Sequence, residues 1–132
     1  MYEYRAKITR VIDGDTVDTT IDLGFGVFLK ARIRIDDYDA PETWRPKSDA
    51  ELTHGTLATK RAEELLLDKT VTLRSSKLGI YGRWGGSITL DKAVNGQSDF
   101  AAIMIVEGFS KKEIYQNSTN IINVPTPMKG DN

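Results

Sequence analysis

The chain has 132 residues, of which 39% are hydrophobic and 28% charged, a composition typical of one globular domain and unlike that of fibrous or disordered proteins. It contains no cysteine, which excludes disulfides and thiolate metal sites, and its net charge of −1 argues against strong nonspecific binding to polyanions. No apolar run approaches the roughly 20 residues that are needed to cross a bilayer.

The N-terminal residues 1–5 lack the basic, apolar and small-residue order of a secretory signal. We expect either that the protein acts in the cytoplasm of the cell that makes it, or that a leader has been removed ahead of Met1. The absence of a recognisable signal favours the cytoplasm.

Three strands are predicted in the first part of the chain. Apolar residues mostly alternate in residues 4–12, 16–23 and 27–36, as they do in strands that bury one face. The Asp-Gly-Asp segment at 13–15 and the Gly-Phe-Gly segment at 24–26 are typical of tight turns, because these residues tolerate positive φ angles. The pattern therefore predicts an antiparallel meander.

A helix is predicted to begin between Ser48 and His54 and to end near Asp68, because apolar residues recur there at steps of three and four. Ser48 and Glu51 have the spacing of a capping box. His54 is the single histidine of the chain, and we expect it at the helix start or on the surface.

Further strands are predicted at 70–76 and at about 86–91. The Asn-Gly pair at 95–96 predicts a turn, after which Ser98 is expected to cap a short second helix that Gly108 ends.

Five strands with a helix between the third and the fourth predict a small Greek-key barrel of the oligonucleotide-binding (OB) type. This is an α+β fold that is mainly β, with a short second helix near its end. We assign residues 1–116 to this domain and 117–132 to an irregular C-terminal tail. Such barrels often bind nucleic acid, but the fold alone does not establish a function.

Charged residues at turns and strand ends predict a site with phosphodiester chemistry. Asp15 leaves the first turn and Asp39 follows the third strand, so neighbouring strands would bring both carboxylates to one metal. Because no cysteine or histidine lies in these motifs, oxygen ligands favour Ca²⁺, Mg²⁺ or Mn²⁺ over zinc. Glu42 is placed to accept a proton from water, and Arg34 and Arg83 to grip one phosphate from two sides.

Each of these features has a plainer interpretation when it is taken alone. The Asp-Gly-Asp segment is usually a hairpin turn, and Arg34 in a strand would be expected to pair with Asp18 or Asp22 across the sheet. Trp84, next to Arg83, is expected to bury against the barrel. The occurrence of all the parts together in one chain favours the phosphodiester site.

Three motifs resemble the staphylococcal nuclease (thermonuclease) family over roughly residues 4–112. They are Val-Ile-Asp-Gly-Asp-Thr at 11–16, Arg34 followed by Asp-Ala-Pro-Glu at 39–42, and Tyr-Gly-Arg at 81–83. The resemblance implies a Ca²⁺-dependent hydrolase of DNA and RNA. Such an enzyme cuts the bond between phosphorus and the 5′-oxygen by attack of water and leaves 3′-phosphates.

The resemblance also implies a role for each matching residue. Asp15 and Asp39 would be calcium ligands together with the backbone carbonyl of Ala40, with Mg²⁺ or Mn²⁺ as other candidate ions. The implied catalytic residues are Glu42 as general base and Arg34 and Arg83 as stabilisers of the transition state.

Tyr81 matches a tyrosine that contacts a terminal phosphate of bound nucleotide, and Tyr115 lies close to where the family places base-stacking tyrosines. The expected partners are DNA and, as a second substrate, RNA, with single strands favoured, no membrane, and a monomeric protein. Two other hypotheses stay open: a catalytically silent OB barrel that binds nucleic acid or a peptide, and a calcium-binding structural module.

Overall fold

The computed structural model describes residues 2–41, 48–78 and 84–111. The five predicted strands are confirmed, and a sixth strand of three residues follows the turn at Asn95. The strands are β1 Glu3–Asp13, β2 Thr16–Asp22, β3 Phe28–Ile35, β4 Thr70–Leu78, β5 Trp84–Val94 and β6 Gln97–Asp99, and the helices are α1 Asp49–Leu66 and α2 Phe100–Val106.

The strands form one sheet in the order β3-β2-β1-β4-β5-β6, and a further parallel pairing of β3 with β5 closes the first five strands into a barrel. That closing contact is short, since it runs only from Ile33 opposite Trp84 to Ile35 opposite Gly86. The prediction of a mainly β, five-stranded OB barrel with two helices is therefore confirmed.

The core lies inside the barrel and under α1. Ile8, Val17 and Ile88 project inward from three strands and are fully buried, which follows from their alternate positions along each strand. Ala58 and Ala62 of α1 are also fully buried. Their small side chains let the helix approach the barrel closely.

Helix α1 begins where the capping pattern predicts. The Ser48 hydroxyl accepts a hydrogen bond from the backbone N–H of Glu51 at 3.1 Å, and the helix starts at Asp49. It ends at Leu66, and Asp68 beyond it has a φ of 62°, a left-handed conformation that cannot continue the helix.

Helix α2 is capped by Asp99 rather than by Ser98. The Asp99 carboxylate accepts from the N–H of Ala102 at 3.0 Å, because strand β6 extends through Asp99 and shifts the cap by one residue. Gly108, with a φ of 89°, follows the helix as predicted. Within the described segments, no helix is both long and apolar enough to cross a membrane.

Two expectations about single residues are wrong. His54 is completely buried rather than superficial, because its position in α1 turns its ring toward Phe109, with ring centres 5.7 Å apart. Trp84 is half exposed, because it is the first residue of β5 and lies at the rim of a groove rather than over the core. The predicted tail from 117 to 132 lies outside the described residues.

Candidate active site

The turn between β1 and β2 places Asp15 against the segment that follows β3. The Asp13 carboxylate accepts a hydrogen bond from the N–H of Asp15 at 3.1 Å, which fixes the turn locally. A Cβ added to Gly14 would lie 2.8 Å from Cβ of Ala40 and 3.3 Å from Cβ of Ala58. A glycine is therefore required here so that the turn, α1 and the segment after β3 can meet.

The Asp15 carboxylate is largely buried and held on both oxygens. Oδ2 accepts from the backbone N–H of Ala40 at 2.8 Å, and Oδ1 accepts from the hydroxyl of Thr16 at 3.0 Å. Arg34 Nη2 lies 3.4 Å from the same Oδ2. These contacts give the carboxylate one fixed orientation.

Burial, followed by the neighbouring Asp13 carboxylate, raises the pKa of Asp15 from 3.8 to about 6. The charge of Arg34 and the hydrogen bond from Ala40 oppose this rise without cancelling it. The ionised Asp15 therefore carries negative charge that its surroundings neutralise incompletely. Such a group favours a cation beside it.

Arg34, near the end of β3, is held in place by backbone carbonyls and carboxylates. Nη1 donates to the carbonyl of Ile35 and, at 2.7 Å, to that of Tyr38. Nη2 forms a short ion pair with Asp39 and also contacts Asp15. A planar guanidinium that meets all four groups has little freedom to rotate.

The simpler pairing of Arg34 with Asp18 or Asp22 is wrong. Asp18 instead forms a two-point ion pair with Arg32, with Nε–Oδ1 at 2.7 Å and Nη2–Oδ2 at 3.2 Å. The register of β2 and β3 sets Thr16 opposite Arg34, which brings Arg34 next to the turn rather than to the middle of the strand.

Asp39 presents its carboxylate to solvent at the edge of the site. Its side chain is 75% exposed, and it contacts the same Arg34 nitrogen that contacts Asp15. The backbone carbonyl of Asp39 accepts from the N–H of Lys111 at 2.9 Å, which ties this segment to the chain after α2. The backbone is therefore anchored while the carboxylate stays accessible.

Tyr38 forms a buried layer behind the site, and sequence reasoning did not identify it. Its hydroxyl donates to the carbonyl of Phe109 at 2.7 Å. Burial, followed by the charges of Asp15 and Asp13, raises the pKa of Tyr38, so the phenol stays a protonated donor. The signal in the sequence was a single aromatic residue among the acids at 36–39.

The buried His54 lies in the same layer. Neither ring nitrogen has a hydrogen-bond partner among the described residues, and burial lowers the pKa of His54 against a smaller opposing effect of the Gly108 backbone. The ring is therefore neutral near pH 7 and acts as packing against Phe109.

A sequence profile described as Staphylococcal nuclease homologue matches residues 32–124, which is more than half of the chain. The chain belongs to the staphylococcal nuclease family. It is also 27% identical over 112 residues to a protein named micrococcal nuclease from Shigella flexneri, an alignment that covers 82% of this chain and 58% of that relative. The chain thus spans less than two thirds of the relative's length.

Four of the residues expected from the family motifs lie together in the structure. Asp15, Arg34, Asp39 and Ala40 are joined by the contacts described above. Four others lie outside the described residues, namely Glu42, Tyr81, Arg83 and Tyr115. Thr16, which holds Asp15, directly follows the Asp-Gly-Asp turn and was overlooked although its position was visible in the sequence.

The donors present suit a hard cation. Asp15 and Asp39 contribute carboxylate oxygens and Ala40 a backbone carbonyl, the ligand types that Ca²⁺ and Mg²⁺ prefer. The part of the chain that the structure describes contains no group of three or more histidine, cysteine or acidic side chains that could together hold a metal ion. A cation here would therefore complete its coordination with the carbonyl and with water as well as with the two carboxylates.

Proposed function

We propose that this member of the family is a metal-dependent phosphodiesterase that hydrolyses DNA, with RNA as a second substrate. Water attacks phosphorus, and the bond to the 5′-oxygen breaks to leave a 3′-phosphate. The observation that carries the proposal is the Arg34 guanidinium, held by two carbonyls and bridging Asp15 and Asp39 at the mouth of the barrel.

Asp15, Asp39 and the carbonyl of Ala40 would hold the cation, for which Ca²⁺ is the first choice and Mg²⁺ or Mn²⁺ the alternatives. When bound, the cation supplies positive charge for the phosphate oxygens and orients water. The protein contributes rigidity, because the Ala40 N–H and the Thr16 hydroxyl already hold Asp15 in one orientation. Asp39 contributes an exposed carboxylate that can turn toward the ion.

Arg34 neutralises the charge that builds on the phosphate oxygens during attack. The carbonyls of Ile35 and Tyr38 fix the plane of its guanidinium, so a phosphate that replaces the Asp39 contact meets a donor that is already oriented. Preorganised donors of this kind need little rearrangement in the transition state.

We assign Glu42 as the general base that accepts the proton of the attacking water, and Arg83 as the second phosphate ligand. Their positions in the chain support this, since Glu42 is two residues beyond Ala40 and Arg83 directly precedes Trp84. Trp84 pairs with Ile33, the neighbour of Arg34, so β5 begins beside the site.

Tyr81 and Tyr115 are assigned to substrate binding, at a terminal phosphate and at a base respectively. A single strand is the favoured substrate, because its phosphates reach a recessed site more easily than those of a duplex and its bases are free to stack on aromatic rings. The chain is expected to act as a monomer.

The deciding experiment is a gel assay of denatured DNA and RNA with Ca²⁺, Mg²⁺ or Mn²⁺, and with a chelator as the control. We expect cleavage with the metal and none with the chelator. Glu42→Gln and Arg83→Ala should each lower the rate by roughly two to three orders of magnitude, because they remove the base and a charge-stabilising group.

Arg32→Ala is the matched control, since Arg32 lies on the same strand as Arg34 but pairs with Asp18. Activity of the Glu42 and Arg83 variants equal to that of the parent contradicts the assignment. An inert protein that still binds oligonucleotides favours the silent binding barrel. Thermal stabilisation by metal, with no further effect of a nucleoside bisphosphate, favours a structural calcium module.

A further inference from the structure

The end of the β2–β3 hairpin opposite Asp15 exposes an unusual amount of apolar surface. Each of its large apolar side chains is between 42% and 105% exposed. They are Leu23, Phe25, Val27, Phe28 and Leu29. The register of the hairpin puts Leu23, Val27 and Leu29 on one face of the sheet and Phe28 on the other. Neighbouring exposed apolar side chains on a small domain typically mark a binding site.

This surface continues into a groove of about 300 Å³ that opens along β3, here called the β3 groove. Its lining includes Leu29 and Ala31 of β3 and the core residue Leu73. At its rim, Tyr2 is largely exposed and Trp84 is half exposed. The groove therefore gives an outside ligand access to apolar side chains that continue into the barrel core.

The register of the hairpin shows which backbone groups of β3 face away from β2. The N–H of Ile35 donates to the carbonyl of Asp15 at 2.8 Å, and the N–H of Leu23 donates to that of Val27 at 2.9 Å. The same antiparallel register connects these two pairs without a shift. Odd-numbered residues of β3 therefore direct their N–H and C=O groups to β2, and even-numbered residues direct them away.

The outward groups of Phe28 and Lys30 form a strand edge that no other described strand covers. Strand β5 pairs with β3 only from Ile33 onward, so it does not reach them. Within the described residues, no hydrogen bond to the outward N–H and C=O of Phe28 or Lys30 is present. An exposed edge with this apolar surface beside it is a template for the addition of a strand.

We propose that the edge of β3 at Phe28–Lys30, together with the β3 groove, binds an extended peptide segment of a partner protein by strand addition. Side chains of the added strand alternate between two faces. One face lies toward Leu29 and Ala31 in the groove and requires apolar residues. The other lies beside Lys30 and Arg32 and favours acidic residues.

The charges support an acidic partner. Lys30 is exposed and forms no ion pair with the described residues, and Arg32 keeps about half of its side chain exposed beside its Asp18 contact. Two copies of this chain paired through the same edge would gather the cations of both copies on one face. A strand carrying carboxylates neutralises them instead.

A peptide also fits the edge better than a nucleic acid does. The free groups of Phe28 and Lys30 alternate donor and acceptor at the spacing of another peptide backbone. The part of the groove next to this edge is lined by Leu29 and Ala31, whose aliphatic side chains fit branched apolar residues.

The test uses the full chain in EDTA and a fluorescein-labelled peptide of alternating glutamate and valine, with binding followed by fluorescence anisotropy. The comparison peptide carries lysine in place of glutamate. We expect the glutamate peptide to bind about fivefold more tightly, because opposite charges across paired strands attract. Lys30→Glu should reverse this preference, whereas Lys92→Glu, a change at an exposed lysine of β5, should not.

The backbone contact is tested separately. Lys30→Pro removes the outward N–H of residue 30 and leaves the hydrogen bonds to β2 in place, so it should weaken peptide binding about tenfold. Lys30→Ala is the control, because it retains that N–H and should lose only the preference for the glutamate peptide. If Lys30→Pro does not fold, the same contact is removed by N-methylating the backbone amides of the peptide on one edge.

Equal affinity for the two peptides, or binding unchanged by both Lys30→Pro and N-methylation, overturns the proposal. Displacement of the peptide by a thymidine oligonucleotide in EDTA overturns it in favour of a nucleic-acid site. If analytical ultracentrifugation shows a dimer of the parent chain and Lys30→Pro converts it to a monomer, the proposal is overturned in favour of self-association.

Discussion

The two ends of the β2–β3 hairpin belong to the same pair of strands but differ in burial and polarity. At one end Arg34 and Asp15 are partly or largely buried and bonded to carbonyls, a hydroxyl and a backbone amide. At the other end the side chains of Phe25 and Phe28 are exposed, and the outward backbone groups of Phe28 and Lys30 have no hydrogen-bond partner among the described residues. The antiparallel pairing is continuous between them.

The difference lies in what covers each end. Strand β5 and the segment through Tyr38 pack over the end that holds Arg34, whereas β5 stops short of Phe28. Pairing of two strands therefore does not decide whether their side chains become a polar site or an apolar surface. The segments that pack against each end of the hairpin decide whether it is polar or apolar.

The largest expected effect at the polar end comes from Arg34→Lys. A lysine cannot reach the carbonyls of Ile35 and Tyr38 and the carboxylate of Asp39 together, because it has one nitrogen instead of a planar fork. Nuclease activity should fall roughly a hundred- to a thousandfold, measured as initial rates on denatured DNA. Arg32→Lys, two residues earlier, should change the rate by less than about twofold. Similar losses in both variants contradict a special role for Arg34.

An intermediate effect is expected from Asp15→Asn in the metal-free protein. Because folding raises the pKa of Asp15 from 3.8 to about 6, its ionised form destabilises the folded state above that pH. The substitution should therefore raise the free energy of unfolding by about 1–3 kcal/mol near pH 7, although it removes a proposed metal ligand.

The pH dependence supplies the control for this prediction. The penalty is complete above about pH 6 and disappears below the unfolded value of 3.8, so the gain from Asp15→Asn should shrink as the pH is lowered. Urea unfolding of the parent and the variant in EDTA, once below pH 3.8 and once near pH 7, measures this difference in the free energy of unfolding. A variant that is less stable than the parent near pH 7 would show that the contact with Arg34 outweighs burial.

The smallest effect is expected at the apolar end, from Phe25→Ser. The Phe25 side chain is fully exposed, so its removal should change the free energy of unfolding by less than about 0.5 kcal/mol. Its left-handed φ of 55° suits serine no worse than phenylalanine. Thermal unfolding tests this, with Ile35→Ala in the buried core as the contrast, which should cost about 2–5 kcal/mol. A large loss from Phe25→Ser would mean that this end is packed in solution.

The sequence alone was sufficient for the five barrel strands and the turns between them, because alternating apolar residues and turn residues act locally, but it did not predict the short strand β6. The motifs predicted that Asp15, Arg34 and Asp39 lie together, and the family resemblance added Ala40. The sequence did not predict the contacts that orient them. The bonds from Ala40 to Asp15 and from Arg34 to Tyr38 depend on segments that meet only in the folded chain.

The dependence on tertiary contacts also explains why the predictions for His54 and Trp84 are wrong. His54 and Trp84 were misplaced because a periodic pattern shows which face of an element a residue occupies, but not what packs against that face. Periodicity and turn residues predicted the barrel, and the charged motifs with their family resemblance predicted the candidate residues. The tertiary structure decided that one end of a continuous hairpin became a hydrogen-bonded polar site and the other an apolar edge that the described strands leave uncovered, because burial depends on neighbours that are distant along the chain.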